Sequence, residues 1–179
     1  VVCGSYFAWF DREQPWLRLA ERHPYVRARR EQARVALRAG AGMTVTVLEI
    51  PYVFGAMPGR RPLWAPLVRY LASPWPLFFT HGGTTMVAVE HVAEAIAGAC
   101  EQIRVSACFP VGEANLTWSE WTRTLAQLAG RDKRAVPVPR WLLALGGWAF
   151  LAWTRLCGRE HGLHPVRFLD LQCRETFVD

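Results

Sequence analysis

The sequence has 179 residues, 51% hydrophobic and 20% charged, which excludes a disordered chain and leaves room for one domain with a small lobe. Its net charge of +6 comes mostly from arginine and suits an anionic ligand, whereas no aromatic–basic platform points to nucleic acid. The five cysteines are widely spaced without a CxxC pair, which favours reduced cytoplasmic thiols over a disulfide framework or a zinc site. Nine tryptophans predict a large apolar core, and we expect Cys3 and Cys100 to be buried in it.

The first third of the chain predicts a strand–helix–strand unit. Residues 1–4 are a short apolar run typical of a buried parallel strand, and residues 42–50 are a second strand rich in β-branched side chains. Residues 23–40 have the periodicity of one helix, whereas residues 5–22 contain breakers and predict a loop. Such a unit implies a parallel sheet, and residues 51–55 leave it at the carboxyl edge, where ligands bind in open α/β sheets.

Two residues of the predicted helix stand out. Arg29 falls on its apolar side, one turn after Tyr25. An unpaired buried charge costs several kcal/mol, roughly, so this guanidinium must reach solvent or meet a partner. Two interpretations are open at this point: an arginine that reaches past a packed tyrosine, or a tyrosine acid/base with a cation one turn away.

The rest of the chain alternates between short strands and helices. Thr117 and Glu120 have the spacing of a capping box at the start of one helix, and Gly130 closes it. By periodicity we expect helices over residues 63–71, 90–102 and 117–130, and strands over residues 77–80, 85–89, 106–111, 134–138 and 165–171.

Residues 141–153, WLLALGGWAFLAW, carry no charge. This run is shorter than the ~20 residues that span a bilayer, so it predicts either a buried helix or a helix that lies on a membrane surface. His161 and His164 are three residues apart with no third ligand nearby, and we expect no metal site there.

Four motifs follow one another along the chain. They are Ser5 followed by YVRAR (residues 25–29), VTVLEIPYVFG (residues 45–55), VEHVAEA (residues 89–95) and FPVG (residues 109–112). In this order they resemble the extended short-chain dehydrogenase/reductase family, the NAD-dependent epimerase/dehydratase type, with YVRAR at the place of its Tyr-x-x-x-Lys. The resemblance runs in register over nearly the whole chain.

The resemblance implies an α/β fold with a partial Rossmann-type parallel sheet and a smaller C-terminal α/β substrate lobe. Residues 1–56 would be the C-terminal part of a dinucleotide-binding domain. Residues 57–179 would mostly form the substrate lobe, with residues 84–112 returning to the Rossmann sheet. It also implies a homodimer that pairs through the Tyr25 helix.

The resemblance further implies a catalytic site. Ser5 would hold the substrate oxygen, Tyr25 would move the proton, and Arg29 would stand where a lysine holds the nicotinamide ribose and favours the phenolate; Pro51, Tyr52 and Val53 would also contact the cofactor. A free phenol has a pKa near 10, so a base at neutral pH needs a nearby positive charge. Arginine supplies that charge but has no neutral form to relay a proton, and we therefore expect weakened or altered catalysis.

Three departures from the family are clear. No GxGxxG occurs, and in the family it belongs to a first strand that would precede Val1, so we expect a chain cut from a longer protein. Glu49 stands at a buried position where the family often has arginine, and needs a cation, from Arg29 or another arginine. His91 replaces an acidic residue, and we expect it to serve the start of a helix.

The implied function is an NAD(P)-dependent epimerase, dehydratase or reductase that uses NAD or NADP on a small-molecule substrate such as a nucleotide-sugar, in the cytoplasm. Two alternatives stay open. One is a non-catalytic nucleotide-binding or scaffold relative that kept the fold without the lysine. The other is a membrane-surface protein that uses residues 141–153 and the arginines.

Overall fold

A computed structural model describes residues 1–40, 42–56, 58–62, 64–158 and 164–178. Contacts divide these residues into two compact units. Unit 1 contains Val1–Phe54, Thr85–Ala114 and Val178, and unit 2 contains the described residues of Gly55–Thr84 and Asn115–Phe177.

Strands and helices alternate along the described chain. The strands are β1 (Val2–Ser5), β2 (Thr46–Ile50), β3 (Tyr52–Phe54), β4 (Phe78–Phe79), β5 (Gly83–Ala88), β6 (Ala107–Pro110), β7 (Ala114–Thr117), β8 (Val136–Pro137) and β9 (Glu175–Thr176). The helices are α1 (Tyr6–Glu13), a 3₁₀ turn (Pro15–Leu17), α2 (Leu19–Arg22), α3 (Pro24–Ala39), α4 (Ala65–Ala72), α5 (Val89–Gln102), α6 (Trp118–Leu128), α7 (Arg140–Leu156) and α8 (Pro165–Gln172).

A parallel sheet forms the centre of unit 1, in the order β1-β2-β6. The central strand β2 is nearly all buried, as its β-branched and apolar sequence predicts. Gly4 and Pro110 flank Glu49 of β2 in the register. The chain thus has the α/β architecture with parallel strands that the strand–helix–strand pattern predicted.

The segment between β1 and α3 is helical, so the prediction of a loop over residues 5–22 was wrong. Ser5 caps α1 by accepting a hydrogen bond from the Phe7 amide at 3.4 Å, and the aromatic face of α1 is buried. Asp11, interpreted as a breaker, lies in α1, where its carboxylate accepts a hydrogen bond from the Ala20 amide at 3.0 Å and pairs with Arg30. Tertiary burial outweighs the modest helix propensity of this aromatic segment.

A second set of strands contains β3, β5, β7 and β9. In unit 1, β3 runs parallel to Met86–Ala88 of β5, with Tyr52 opposite Met86. In unit 2, the other end of β5 pairs in parallel with β9, with Thr84 opposite Thr176. The last strand, β9, is too short for the sequence pattern to reveal.

Unit 2 has a small core of Leu71, Leu77 and Ala126 under α4 and α6. The capping box is confirmed: the Thr117 hydroxyl accepts from the Glu120 amide, and the Glu120 carboxylate accepts from the Thr117 amide. β4 and β8 pair beside this core, as short strands that the sequence predicted.

Several sequence predictions for unit 2 and for the core were wrong. Residues 165–171 form helix α8 with Pro165 in its first turn, because a short apolar run fits a helix as well as a strand. Only part of the tryptophan content serves the core. Trp118 and Trp121 are buried, whereas the exposed ones include Trp16, Trp75, Trp141, Trp148 and Trp153.

Smaller points concern the cysteines, the histidines and the apolar run. Cys3 and Cys100 are exposed, against expectation. His161 lies outside the described residues, and within the described ranges no three metal-ligating side chains cluster. None of the described helices has the length and apolar content needed to cross a bilayer.

Candidate functional site

Tyr25 and Arg29 form a close pair on α3. Tyr25 is the second residue of this helix, and the guanidinium carbon of Arg29 lies 5.2 Å from the centre of its ring. Arg29 Nη1 also donates a hydrogen bond to Gln32 Oε1 at 2.9 Å. Both side chains of the pair are half-buried, so the cation sits against the ring face at the protein surface and not in bulk solvent.

Ser5 ends β1 at the carboxyl edge of the sheet. It is 4% exposed, and its hydroxyl oxygen caps α1. A hydroxyl has two acceptor sites and one donor. Capping uses the acceptor side, and the O–H can still donate to a carbonyl or hydroxyl oxygen of a substrate. Ser5 is in register with Ile50, which directly precedes Pro51.

Tyr52 contacts helix α1, which Ser5 caps, and interacts electrostatically with Tyr25. Its ring packs edge-on against Tyr6, with centroids 6.1 Å apart, and against Phe7, with centroids 6.4 Å apart. Burial raises the pKa of Tyr52 far above its usual value, and the nearby phenols of Tyr6 and Tyr25 raise this pKa further. Tyr52 is therefore a protonated phenol at neutral pH, and Tyr25 lies within electrostatic range of it.

The remaining predicted cofactor contacts follow β2. Pro51 is buried, whereas Val53 is 37% exposed in the edge-facing strand β3. β3 pairs with β5 through its backbone, with Val53 opposite Val87. The structure brings Tyr25 together with Arg29, and Tyr52 lies within electrostatic range of Tyr25; Ser5 stands at the start of the helix that carries Tyr6 and Phe7.

Glu49 has the cation that its position demands. It is 0% exposed, and Arg12 binds it with two hydrogen bonds, of which the one from Nη1 to Oε1 is 2.7 Å long. The partner is thus another arginine and not Arg29. Hydrogen bonding to Glu49 raises the pKa of Arg12. Sequence pattern does not single out Arg12, because this residue lies in the segment predicted as a loop.

A second feature that sequence reasoning missed is a cleft of about 430 Å³ between α1, α3 and β6. Its walls carry Arg12, Arg27, Arg30 and Arg34. Three of these guanidinium groups are already paired: Arg12 with Glu49, Arg30 with Asp11 and Arg34 with Glu31. The cleft is therefore an ion-pair network more than an open anion site.

His91 serves the start of α5, as its sequence position predicted. Its Nδ1 lies 2.7 Å from Glu113 Oε2, and the same carboxylate accepts a hydrogen bond from the Ala88 amide at 2.8 Å. The Glu113 carboxylate raises the pKa of His91, chiefly through their hydrogen bond. The side chains thus tie the helix start to the turn after β6, and nothing in this geometry requires a reaction.

No protein-family model matches the sequence, and no curated protein is significantly similar to it. Solved structures are similar in fold. The crystal structure of gox2253 matches 86% of this chain and 47% of its own with a TM-score of 0.62 and 19% identity. A nucleoside-diphosphate-sugar epimerase from Pseudomonas aeruginosa matches 87% of this chain and 50% of its own, with a TM-score of 0.55 and 16% identity. UDP-N-acetylglucosamine 4-epimerase from Bacillus cereus matches 64% and 42%, with a TM-score of 0.52 and 14% identity.

These likenesses confirm the Rossmann-like α/β fold that the four motifs implied. The chain has the fold of nucleoside-diphosphate-sugar epimerases and spans about half the length of the structures it matches. Identities below 20% establish the fold alone, and what a site on it does must come from its residues.

Proposed function

We propose that this chain supplies the proton-transfer site of an NAD(P)-dependent oxidoreductase or epimerase that acts on a small molecule of the nucleotide-sugar class. The observation that supports this most is the position of Arg29 against the Tyr25 ring, at 5.2 Å, within electrostatic range of the protonated phenol of Tyr52. A fixed positive charge next to one phenol and burial of the other support Tyr25 as the group that exchanges the proton.

The roles follow from charge and donors. Tyr25 gives up or takes the proton of the reacting hydroxyl, and Arg29 places a positive charge next to its ring. Ser5 donates its O–H to the same substrate oxygen, since its acceptor side is occupied by α1. Because Arg29 never becomes neutral, it acts as a fixed charge and passes no proton onward.

The residues present fit one end of a dinucleotide. Tyr25 and Arg29 would hold the ribose next to the nicotinamide, and Pro51, Tyr52 and Val53 would line its ring at the sheet edge. When bound, NAD(P) supplies the hydride acceptor or donor. Gly4 lies within β1, and its added Cβ would lie 3.1 Å from Val47 Cγ1, so this glycine serves packing of the sheet and not a pyrophosphate. We propose that residues outside this sequence bind the pyrophosphate.

The test uses the protein that carries this sequence together with its nucleotide-binding segment. Tyr25→Phe should lower kcat by about 10²–10⁴-fold, a far larger effect than its weakening of NAD(P) binding. Tyr70→Phe is the matched control, because it also removes a phenol hydroxyl, one that bonds the backbone of Pro76 and Phe78. Equal activity of Tyr25→Phe and Tyr70→Phe would refute the proposal.

A second candidate is a non-catalytic nucleotide-binding or scaffold relative, and arginine at position 29 favours it. Arg29→Lys separates the two. If the site is catalytic, lysine changes turnover and its pH profile; if the protein only binds, NAD(P) binds without turnover in both forms.

Two further parts of the proposal concern its setting. The five cysteines are free thiols, which supports a cytoplasmic location. Pairing of two copies through α3 would bring the tyrosine helices of a homodimer together, and sedimentation velocity tests it.

A further inference from the structure

Helix α7 has two unlike sides. One side is covered within unit 2: Leu151 is 7% and Thr154 is 1% exposed, and a Cβ added to Gly147 would lie 2.9 Å from Val166 Cγ2 at the start of α8. The glycine thus permits a close contact between the two helices. The prediction of a buried helix over residues 141–153 holds for this side only.

The other side is apolar and uncovered. At about 100° per residue, its members span an arc of about 140° that contains no polar residue. Its six large side chains are between 48% and 88% exposed: Trp141, Leu142, Leu145, Trp148, Trp153 and Leu156. A helix that faces water normally carries polar residues on such an arc, and three tryptophans are the residues that favour a membrane–water boundary.

Positive charge surrounds this arc. Residues 129–158 contain five basic residues and one acidic residue, Asp132. Arg140 begins α7, where its exposed guanidinium pairs with Asp170 of α8, and Arg155 lies in the last turn of α7. Arg131 and Lys133 donate hydrogen bonds to backbone carbonyls, and no carboxylate takes part in these contacts.

We infer that α7 docks in the plane of an anionic lipid surface. The apolar arc enters the boundary between headgroups and acyl chains, and the arginines at both ends meet lipid phosphates. The 17 residues of α7 make a helix about 26 Å long. Its opposite side is held by α8, so the helix lies along the surface. Charge favours an anionic lipid surface over a second copy of the chain, because the second copy carries the same basic residues around its arc and would be repelled.

Co-sedimentation with vesicles tests the inference. The chain should bind phosphatidylcholine vesicles that contain 30% phosphatidylglycerol at low salt, and bind less to pure phosphatidylcholine or in 0.5 M NaCl. The double variant W141S/W148S should lower the partition coefficient at least about tenfold, since two tryptophans leave the interface. Trp16→Ser is the matched control, because Trp16 is 67% exposed, like Trp141 at 65%, but lies in unit 1.

Three results would overturn the inference. One is no binding to anionic vesicles, and another is an equal loss with Trp16→Ser. The third is self-association in the absence of lipid that W141S/W148S abolishes in sedimentation velocity, which would make a second copy the occupant. The substituted side chains are exposed, so we expect the variants to melt at the same temperature as the unaltered chain. This measurement shows that the variants fold.

Discussion

Removing Arg12 should destabilise unit 1 more than any loss of a surface charge. In Arg12→Met the carboxylate of Glu49 stays at 0% exposure between β1 and β6 and loses both of its guanidinium hydrogen bonds. Breaking a buried ion pair from one side costs about 3–5 kcal/mol, and the lower end applies because Arg12 keeps 34% of its side chain exposed. A loss of about 3 kcal/mol corresponds to a fall of about 6–12 °C in Tm for a chain of this size.

Thermal unfolding followed by circular dichroism measures this effect against two controls. Arg34→Met breaks the exposed pair with Glu31, at 46% and 54% exposure, and should leave the Tm nearly unchanged. The double variant Arg12→Met/Glu49→Leu removes both charges and should recover most of the loss. If Arg12→Met melts like Arg34→Met, or if the double variant is less stable than the single one, the buried pair does not hold this sheet as described.

Two further predictions concern local geometry. Glu113→Gln should lower the pKa of His91 in an NMR titration, because the carboxylate raises it. While Glu113 stays ionised, the stabilisation from His91 is present below its unfolded pKa, about 6.5, and is lost as pH rises through the folded value. A variant in which the His91 titration does not move would contradict the contact. Gly82→Ala should cost at least about 2 kcal/mol in denaturant unfolding, since φ is +100° and its Cβ would lie 2.5 Å from the Arg174 carbonyl. Gly42→Ala, at φ +86° with open space, is its control and should cost less.

The parts of the fold that sequence reasoning predicted depend on local signals. The helix of α3 follows from its periodicity, with a proline in the first turn, and α6 follows from the capping box of Thr117 and Glu120. The β-branched residues before Ile50 predicted β2, because a strand buried on both faces needs no alternation.

The parts that it missed depend on contacts distant in sequence. Asp11 belongs to a helix because Ala20 and Arg30 satisfy its carboxylate, and neither partner is visible from the residues around it. α8 was the avoidable error. Pro165 at its first position and a capping His164, which accepts from the Arg167 amide, are helix signals that the apolar run obscured.

The same division applies to the site. The contact of Tyr25 and Arg29 follows from their spacing of four residues on one helix, which sequence alone gives. The environment of Tyr52 does not, because its packing against Tyr6 and Phe7 requires the α1 helix that was not predicted. The partner of Glu49 lies 37 residues away and could be named only as some arginine.

Strand β5 has a consequence for how this chain tolerates change. Its first residues are in register with β9 and its last residues with β3, so two neighbouring strands are aligned by the same six residues. Side chains alternate between the two faces of a strand, and a shift by one position would turn every one of them over. Substitutions that keep size should therefore be accepted in β5 far more readily than the insertion of one amino acid, which would misalign both neighbours at once.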